Sequence, residues 1–398
     1  MPERMTEKQA IRAGAKNYVE KPRPKLRPSI EAARREKDPD APKFTAADIL
    51  DKAEELCTTG EFELAVPFCD KALQMIPGSA KALEYKAIAL QELGREEEAV
   101  AALLEAVESE PESGPSKYMY LGQLAGGQDA VDSFNVAIRI MVGDLDRLDA
   151  DEGGAAEPAA AAAAAAAPVA GEGTARKELL NDLSSALCSI AEIYLTDLCD
   201  EVDADKTCID ALEQALTYNP ECPQAMQLMA SVYLSLEQAD EALAWMEKSV
   251  GLWHTRPAED DDDEAGAAAA AAVSAKATAL DVSYDFRIGS AKILLELHQY
   301  DVAAEVLDQL LLEDAEVVEV WYLLGLTQGF AEGPEALSTL CRAKLLYIML
   351  DADQEGILEH IDHLIDNSPE DEVETQMKAV ASSLGPQAEE IVAKMAAS

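Results

Sequence analysis

The chain has 398 residues, of which 77 are acidic and 32 are basic, so its formal net charge is −45. A protein this acidic repels nucleic acids and anionic membranes and attracts strongly basic ligands, so we expect neither a direct nucleic-acid partner nor a membrane partner. Apart from plain alanine tracts, no apolar run approaches the ~20 residues of a membrane span, and the N-terminus has no apolar signal-peptide core.

Residues 1–44 differ in charge from the rest of the chain. They carry 12 Lys or Arg and 7 Asp or Glu, which leaves 20 basic and 70 acidic residues after them. The prolines of the run KPRPKLRP (Lys21–Pro28) prevent a helix and favour an extended backbone, so we predict a mostly disordered segment. The basic run could serve as a nuclear-targeting signal. The alternatives are a solvated tail and a segment that folds back on the protein's own acidic surface. The candidate targeting residues are Lys21, Arg23, Lys25 and Arg27.

Two tandem stretches of 34 residues follow, residues 46–79 and 80–113. In the second stretch, alanines stand at positions 8, 20 and 27, leucines at positions 4, 11 and 24, and a proline at position 32. An equivalent set occurs in the same register one period earlier. This is the tetratricopeptide pattern, in which small residues let two helices cross closely and the proline ends the second helix. One helix pair cannot bury its apolar face alone, so the pattern predicts stacked pairs.

Five further helix pairs are predicted. The third follows Pro115 with a short turn, and the fourth has a long turn before its second helix. The fifth, over residues 223–256, is in register. The sixth, near residues 284–317, matches less well because Arg287 stands at position 4, where an apolar residue is usual. The seventh begins near Trp321, and a helix over residues 356–366 is expected to cap the open end of the stack.

The predicted fold is therefore all-α, a right-handed tetratricopeptide-repeat solenoid of about seven helix pairs with disordered low-complexity segments. Two insertions, one rich in alanine and one with six consecutive acidic residues, cannot bury enough apolar area to offset their ordering entropy, so we predict that they are mobile. The predicted segments are residues 1–44 (basic N-terminal segment), 45–148 (repeats 1–3), 149–174 (Ala-rich linker), 175–256 (repeats 4–5), 257–275 (acidic and Ala-rich linker), 276–366 (repeats 6–7 and capping helix) and 367–398 (polar C-terminal tail).

No sequence motif supports catalysis. The chain has no Walker A loop and no GxSxG, HExxH or GxGxxG motif. His360 and His363 stand three residues apart on one predicted helix, a spacing that could hold a metal, but a solvated helix face is the preferred interpretation. The seven cysteines form no CxxC pair, which favours buried thiols in a reducing compartment. We expect no enzymatic activity, no cofactor and no metal.

Tetratricopeptide arrays usually bind partners in a concave groove lined by their first helices. Acidic residues outnumber basic ones at the groove positions, although acidic residues are abundant throughout the chain. In the predicted site, glutamates supply charge and tyrosines supply apolar contact. The predicted partner-binding residues are Glu54, Glu84, Gln91, Glu92, Tyr118, Tyr120, Gln123, Glu192, Gln227, Asp285, Glu296, Glu319 and Tyr322.

One known mode of binding is excluded. Arrays that hold the carboxylate tails of heat-shock chaperones use Lys, Asn and Arg at five set positions. This chain has no basic side chain at any of the five, so an acidic tail would be repelled and a general co-chaperone is disfavoured. The five residues at these positions are Leu50, Glu54, Tyr85, Ser116 and Tyr120.

Two repeats carry a resemblance to a known family. The third, SKYMYLGQLAGGQDAVDSFNVAIRIM (Ser116–Met141), and the seventh, WYLLGLTQGFAEGPEALSTLCRAKLL (Trp321–Leu346), resemble the dedicated assembly chaperones of the fourth large-subunit ribosomal protein. The basic N-terminus joined to an acidic array fits the same family, and the resemblance covers roughly residues 45–365. It implies a non-enzymatic protein that captures the new ribosomal protein through its long basic internal loop and accompanies it to nuclear pre-ribosomes. The alanine tract is not a feature of that family.

The charge of the array favours the same function. An acidic solenoid can stand in for RNA phosphates and cover a basic loop until RNA competes for it. We therefore predict a monomeric chaperone, found in the cytoplasm and nucleus, whose partner is a basic ribosomal protein of the large subunit. The alternative is a scaffold subunit of a stable complex, with the groove holding a partner helix.

Overall fold

The computed structural model describes residues 44–153, 172–254, 280, 282–352 and 355–396. These residues form 17 α-helices and contain no strand. The helices are α1 Ala46–Thr58, α2 Phe62–Met75, α3 Ala80–Glu92, α4 Glu96–Ser109, α5 Ser116–Leu124, α6 Gly127–Gly153, α7 Glu172–Leu195, α8 Ala204–Tyr218, α9 Pro223–Ser235, α10 Ala239–Trp253, α11 Tyr284–Glu296, α12 Tyr300–Glu313, α13 Val318–Phe330, α14 Ala336–Leu350, α15 Glu355–Asp366, α16 Glu370–Leu384 and α17 Pro386–Met395.

Helices α1 to α14 form seven successive packed pairs, which confirms the predicted solenoid. The small residues lie where the two helices of a pair cross. Ala53 and Ala87 are buried at the crossings of the first two pairs. At Gly122 in α5, an added Cβ would lie 2.6 Å from the ring of Phe134 in α6, closer than atoms can approach. The repeat register read from the sequence is thus the register of the helix crossings.

The sixth pair keeps the fold despite the arginine at its core position. Arg287 is only 6 % exposed, and its two terminal nitrogens each donate a hydrogen bond of 2.7 Å to a different carboxylate oxygen of Glu313. The guanidinium also lies 5.7 Å from the ring centre of Tyr284. A bidentate ion pair with an aromatic neighbour therefore takes the place of the usual apolar residue.

Helices enter the predicted Ala-rich linker from both sides. The 27-residue α6 extends to Gly153, and α7 begins at Glu172, so both ends of the 149–174 segment are helical. Arg176 Nε lies 3.1 Å from Asp149 Oδ1, which joins the two helices near these ends. The predictions of disorder for residues 1–43, 154–171 and 257–275 and of a nuclear-targeting signal lie outside the described residues.

The prediction of a polar tail after residue 366 is corrected, because this segment contains two helices, α16 and α17. Only α17, the helix after Pro386, was expected. Met377, Val380 and Ala381 of α16 are buried in one core cluster with Ile361 and Ile365 of α15. The apolar residues of this segment are few, but they recur at helical spacing, so they form one buried face in a mostly polar sequence. The predicted capping helix α15 therefore shares a buried core with α16 and is not the last element of the array. Among the described residues, no helix has the length and apolarity to cross a bilayer.

Candidate functional site

We call the surface of the first helices of the pairs the first-helix face (α1, α3, α5, α7, α9, α11 and α13). Several first helices of successive pairs contact one another, among them α1 with α3 and α11 with α13. Lys81 Nζ of α3 lies 3.4 Å from Glu54 Oε2 of α1. Further along, Lys292 Nζ of α11 lies 2.7 Å from Glu319 Oε1 of α13. The first helices line the concave side of tetratricopeptide arrays, so this is the surface on which the predicted groove residues can be tested.

Near the N-terminal end of this face, one acid is held in place by its neighbours. A hydrogen bond from Tyr85 is the largest influence on Glu54 and, with Lys81, lowers the pKa of its carboxyl group against a smaller effect of burial. Lys81 Nζ also lies 5.4 Å from the centre of the Tyr85 ring. Glu54 therefore remains ionised but already has a cationic partner within the protein.

The next repeat contains a buried cation that the sequence did not indicate. Lys117 is fully buried, and its ammonium group donates hydrogen bonds to the carbonyl oxygens of Ser113 and, at 3.1 Å, Gly114. Burial lowers the pKa of Lys117, while the charges of Glu84 and Glu110 oppose that shift. The tetratricopeptide pattern requires no lysine at this position, so the repeat register did not indicate its burial.

The half-buried Glu84 lies between this lysine and the aromatic part of the face. Burial is the largest effect and raises the pKa of Glu84, and the nearby Lys117 partly offsets it. Tyr120 is also half-buried, and both burial and the charge of Glu84 raise the pKa of its hydroxyl. The predicted residues Glu84 and Tyr120 are therefore neighbours on the first-helix face.

The structure leaves eleven of the thirteen predicted groove residues at least partly accessible, whereas Tyr118 and Gln227 are buried. Tyr118 is 8 % exposed, and its hydroxyl donates a hydrogen bond of 2.9 Å to the carbonyl of Pro111. It occupies position 4 of its repeat, where large residues fill the space between repeats, so its prediction as a groove residue is wrong. The accessible residues are Glu54, Glu84, Gln91, Glu92, Tyr120, Gln123, Glu192, Asp285, Glu296, Glu319 and Tyr322.

The second correction is Gln227, which joins two repeats. Its side chain is 9 % exposed, and its Nε2 donates a hydrogen bond of 3.3 Å to the carbonyl oxygen of Phe286. The ring of Phe286 meets Trp253 edge-on, with ring centres 6.1 Å apart. Gln227 therefore belongs to the contact between repeats 5 and 6, on either side of the acidic insertion, and a partner could not reach it without opening that contact.

Apart from the half-buried Glu84, the accessible acids divide into two groups. Glu54 and Glu319 are paired with Lys81 and Lys292, so a basic partner would have to displace a lysine to reach them. The second group forms no ion pair with any lysine or arginine among the described residues, and it offers the face's available negative charge. This second group consists of Glu92, Glu192, Asp285 and Glu296.

At the C-terminal end of the face, α15 covers part of the predicted site. The hydroxyl of Tyr322 and Nδ1 of His360 are 2.6 Å apart, and the two rings meet edge-on. Tyr322 is consequently half-buried, with only part of its ring available to a partner. No group of three or more metal-binding side chains occurs within the described ranges, which include both His360 and His363.

A central pocket lies among the first helices of repeats 4, 5 and 6. It has a volume of about 450 Å³ and lies between α7, the start of α9 and the segment before α11. Asn219 Nδ2 donates a hydrogen bond of 3.1 Å to Asn181 Oδ1 at its rim. The pocket was not predicted, because it combines side chains of α7 with loops and helix ends that have no fixed place in the repeat. Its lining includes Lys177, Asn181, Asn219, Cys222, Gln224 and Phe286.

Comparison with known proteins identifies the repeats. Tetratricopeptide repeat families match residues 80–113, 209–257 and 288–328. The matches identify tetratricopeptide repeats at these positions. The matched ranges include the second, fifth and sixth helix pairs, so the array continues across the acidic insertion.

The tetratricopeptide array also resembles particular proteins. It is 26 % identical over 349 residues to a "Probable assembly chaperone of rpl4" from Schizosaccharomyces pombe, which covers 81 % of this chain and 90 % of that protein. A protein with the same description from Emericella nidulans is 27 % identical over 292 residues, covering 70 % of this chain and 63 % of that one. The resemblance seen in the third and seventh repeats is therefore confirmed over most of the chain.

A solved structure resembles the array as well. "Assembly Chaperone of RpL4 (Acl4)" matches with a TM-score of 0.59 and 26 % identity, covering 73 % of this chain and 97 % of that chain. The match covers nearly all of the solved chain, so the two chains share the fold of the array.

Proposed function

We propose that this protein is a non-enzymatic chaperone that holds a newly made basic ribosomal protein on its first-helix face and delivers it to assembly of the large ribosomal subunit. The observation that carries the proposal is the similarity to proteins named assembly chaperones of rpl4, which extends over 81 % of the chain. We further propose that the bound segment is the partner's long internal loop, that the protein acts as a monomer, and that it works in the cytoplasm and nucleus.

The charge of the array supports a basic partner. Residues 45–398 carry 70 acidic and 20 basic side chains, and the available acids Glu92, Glu192, Asp285 and Glu296 are distributed along the first-helix face. Such a surface speeds the encounter with a densely basic segment and competes with RNA phosphates for it. Neither effect requires catalysis, and no catalytic motif was found in the sequence.

Charge alone would bind any basic chain, so selectivity needs additional contacts. Tyr120 and the accessible part of Tyr322 supply apolar area near the two ends of the face, and the central pocket supplies polar groups between them, among them Asn181 and Gln224. Attraction between exposed charges weakens with salt, as the screening length falls from ~10 Å at 0.1 M to ~3 Å at 1 M. We therefore expect part of the affinity for the true partner to persist at high salt.

The test compares charge reversals on opposite surfaces of the array. Glu92→Lys combined with Glu296→Lys changes two available acids of the first-helix face. Glu105→Lys combined with Glu213→Lys makes the same change in net charge at exposed positions of second helices. In a titration with the basic loop of the ribosomal protein, we expect about tenfold weaker binding for the first variant only. Equal weakening in both variants would place binding outside the first-helix face.

A scaffold role in a stable complex is the second candidate, favoured by the half-buried tyrosines of the face. The same titration separates the two functions if a scrambled peptide of equal charge is included. A chaperone of one ribosomal protein must prefer the native loop over the scrambled peptide. Equal affinities for both peptides would contradict the proposal, and recovery of a stable assembly lacking any ribosomal protein would favour the scaffold.

A further inference from the structure

A second, smaller pocket lies at the C-terminal end of the array, between α13, α14 and α16. Its volume is about 290 Å³. Trp321 of α13 forms one wall, and the other walls come from one face of α14 and one face of α16. Within the described ranges, no acidic side chain lines this pocket, although the chain as a whole is strongly acidic. The lining includes Trp321, Ser338, Thr339, Arg342, Val380 and Ser383.

Arg342 in this pocket differs from the other arginines in its charge environment. The other five arginines of the described ranges each have a carboxylate partner within 4.0 Å. Arg342 forms no ion pair in those ranges, and its one hydrogen bond there joins Nη2 to the Ser383 hydroxyl over 2.8 Å. Since a guanidinium has five N–H donors, the Nε and Nη1 groups of Arg342 remain available to a ligand.

The guanidinium is held in place by the aromatic wall. Its central carbon lies 4.7 Å from the centre of the Trp321 ring. The ring is itself oriented by a hydrogen bond of 2.8 Å from its Nε1 to the carbonyl oxygen of Ala315. The Ser383 hydroxyl donates to the carbonyl oxygen of Val380 at 2.7 Å, so its oxygen is free to accept from Arg342. Stacking and one hydrogen bond therefore pre-organise the arginine, and little side-chain freedom remains to be lost on binding.

The available donors match a carboxylate. A guanidinium binds a planar carboxylate through two parallel hydrogen bonds. The Ser338 hydroxyl lines the same pocket, forms no hydrogen bond within the described residues and can supply a third donor. Val380 and the Trp321 ring offer apolar contact to the aliphatic part of a ligand side chain. A phosphate group matches less well, because it brings up to two negative charges to a pocket lined by a single cation.

We propose that the pocket between α13, α14 and α16 binds a carboxylate of an acidic peptide from a partner protein, at a site separate from the first-helix face. The net charge of the chain opposes anions at long range, but the screening length is ~8 Å at 0.15 M ionic strength, so groups in direct contact such as Arg342 dominate. The sequence argument against acidic tails concerns positions in the first three repeats and does not apply to this pocket. The site does not depend on the proposed ribosomal partner.

The first test observes the three tryptophans of the full-length protein. Labelling with fluorotryptophan gives separate fluorine NMR signals for Trp245, Trp253 and Trp321, which substitution of each residue assigns. At 0.15 M salt, a blocked pentapeptide containing one glutamate should shift the Trp321 signal alone. The matched glutamine peptide should need about tenfold higher concentrations for the same shift. A matched phosphoserine peptide tests the other source of an oxyanion, and its tighter binding would overturn the carboxylate assignment.

The second test removes the donors one at a time. Arg342→Gln should weaken binding of the glutamate peptide about tenfold, whereas the control Arg139→Gln, at an exposed arginine that has Glu112 within 4.0 Å, should not change it. Ser338→Ala should weaken binding about two- to threefold, because it removes one hydrogen-bond donor from a side chain that supports no other contact of this kind. Thermal melting of each variant checks that the array is folded.

Either of two results would overturn the proposal. The first is the absence of a shift of the Trp321 signal with the glutamate peptide. The second is unchanged affinity in a folded Arg342→Gln variant. If Arg342→Gln does not fold, unchanged affinity in Ser338→Ala decides against the site.

Discussion

Two charged residues are buried in the array, and each is stabilised differently. Arg287 has a bidentate carboxylate partner in Glu313, so charge is balanced by charge. Lys117 instead relies on two backbone carbonyls and on the field of Glu84, which forms no direct ion pair with it. Uncompensated charge is expensive in a protein interior, so these two sites should respond differently to substitution.

The Arg287–Glu313 pair can be tested by removing either partner. Glu313→Gln leaves a buried guanidinium without its counterion and should cost about 2–3 kcal/mol of unfolding free energy, less than for a fully buried pair because the carboxylate is partly exposed. Arg287→Leu restores the usual apolar residue and should change stability by less than about 1 kcal/mol. Urea denaturation measures both changes. Equal destabilisation by the two variants would show that the arginine itself, not its charge balance, supports the repeat.

The stability contribution of Glu84 should depend on pH. Burial raises the pKa of its carboxyl group in the folded state above the unfolded value, so protonation favours folding. This contribution is present below the unfolded pKa of about 4.3 and is lost as the pH rises through the folded value. Glu84→Gln should therefore melt at a higher temperature than the parent at pH 7, and the difference should disappear near pH 4. A constant difference at both pH values would show that ionisation of Glu84 is not responsible.

At the scale of the helix, the crossing of the third pair depends on a residue without a Cβ. Gly122→Ala would place a methyl group against the ring of Phe134 and should destabilise the array by about 1–3 kcal/mol. Gly251→Ala is the matched control, since its added methyl group meets no atom within 4 Å on α10. The control should stabilise by about 0.5–1 kcal/mol because alanine is the better helix former. Thermal unfolding of both proteins gives the comparison, and a neutral Gly122→Ala would refute the crossing.

The same periodicity explains which elements the sequence could predict. Small and large residues at fixed positions determine helix crossings, so the seven pairs follow from spacing alone. The pattern determines less well which of the other side chains face the groove, although at Tyr118 it indicates burial, because position 4 fills the space between repeats. Tyr118 and Gln227 were placed on the groove, but contacts with the adjacent repeat bury them. The central pocket was not predicted, because it combines side chains of α7 with loops and helix ends that have no fixed place in the repeat. Helix α16 was missed because its apolar residues, although they recur at helical spacing, are few in a mostly polar segment.

At the scale of the molecule, charge and shape act together. The acidic surface is spread over a long array, so no single carboxylate dominates the attraction of a basic chain. Because Glu54 and Glu319 are paired with Lys81 and Lys292, less negative charge is available to a partner near both ends of the face. A basic segment on this face would therefore experience its strongest attraction at the four available acids. The central pocket, whose lining contains both Lys177 and Glu221, lies between Glu192 and Asp285 along the chain.

The short sequence separation between packed helices also affects how the protein can fold during translation. The principal helix contacts in the described ranges join helices with no more than two others between them in sequence. Helices α1 to α4 can therefore complete their hydrophobic packing as they leave the ribosome, before the C-terminal repeats are translated. Such local topology also favours rapid folding, because little chain entropy is spent in closing long loops. A chain that folds progressively during translation exposes little apolar surface while its own synthesis is still under way.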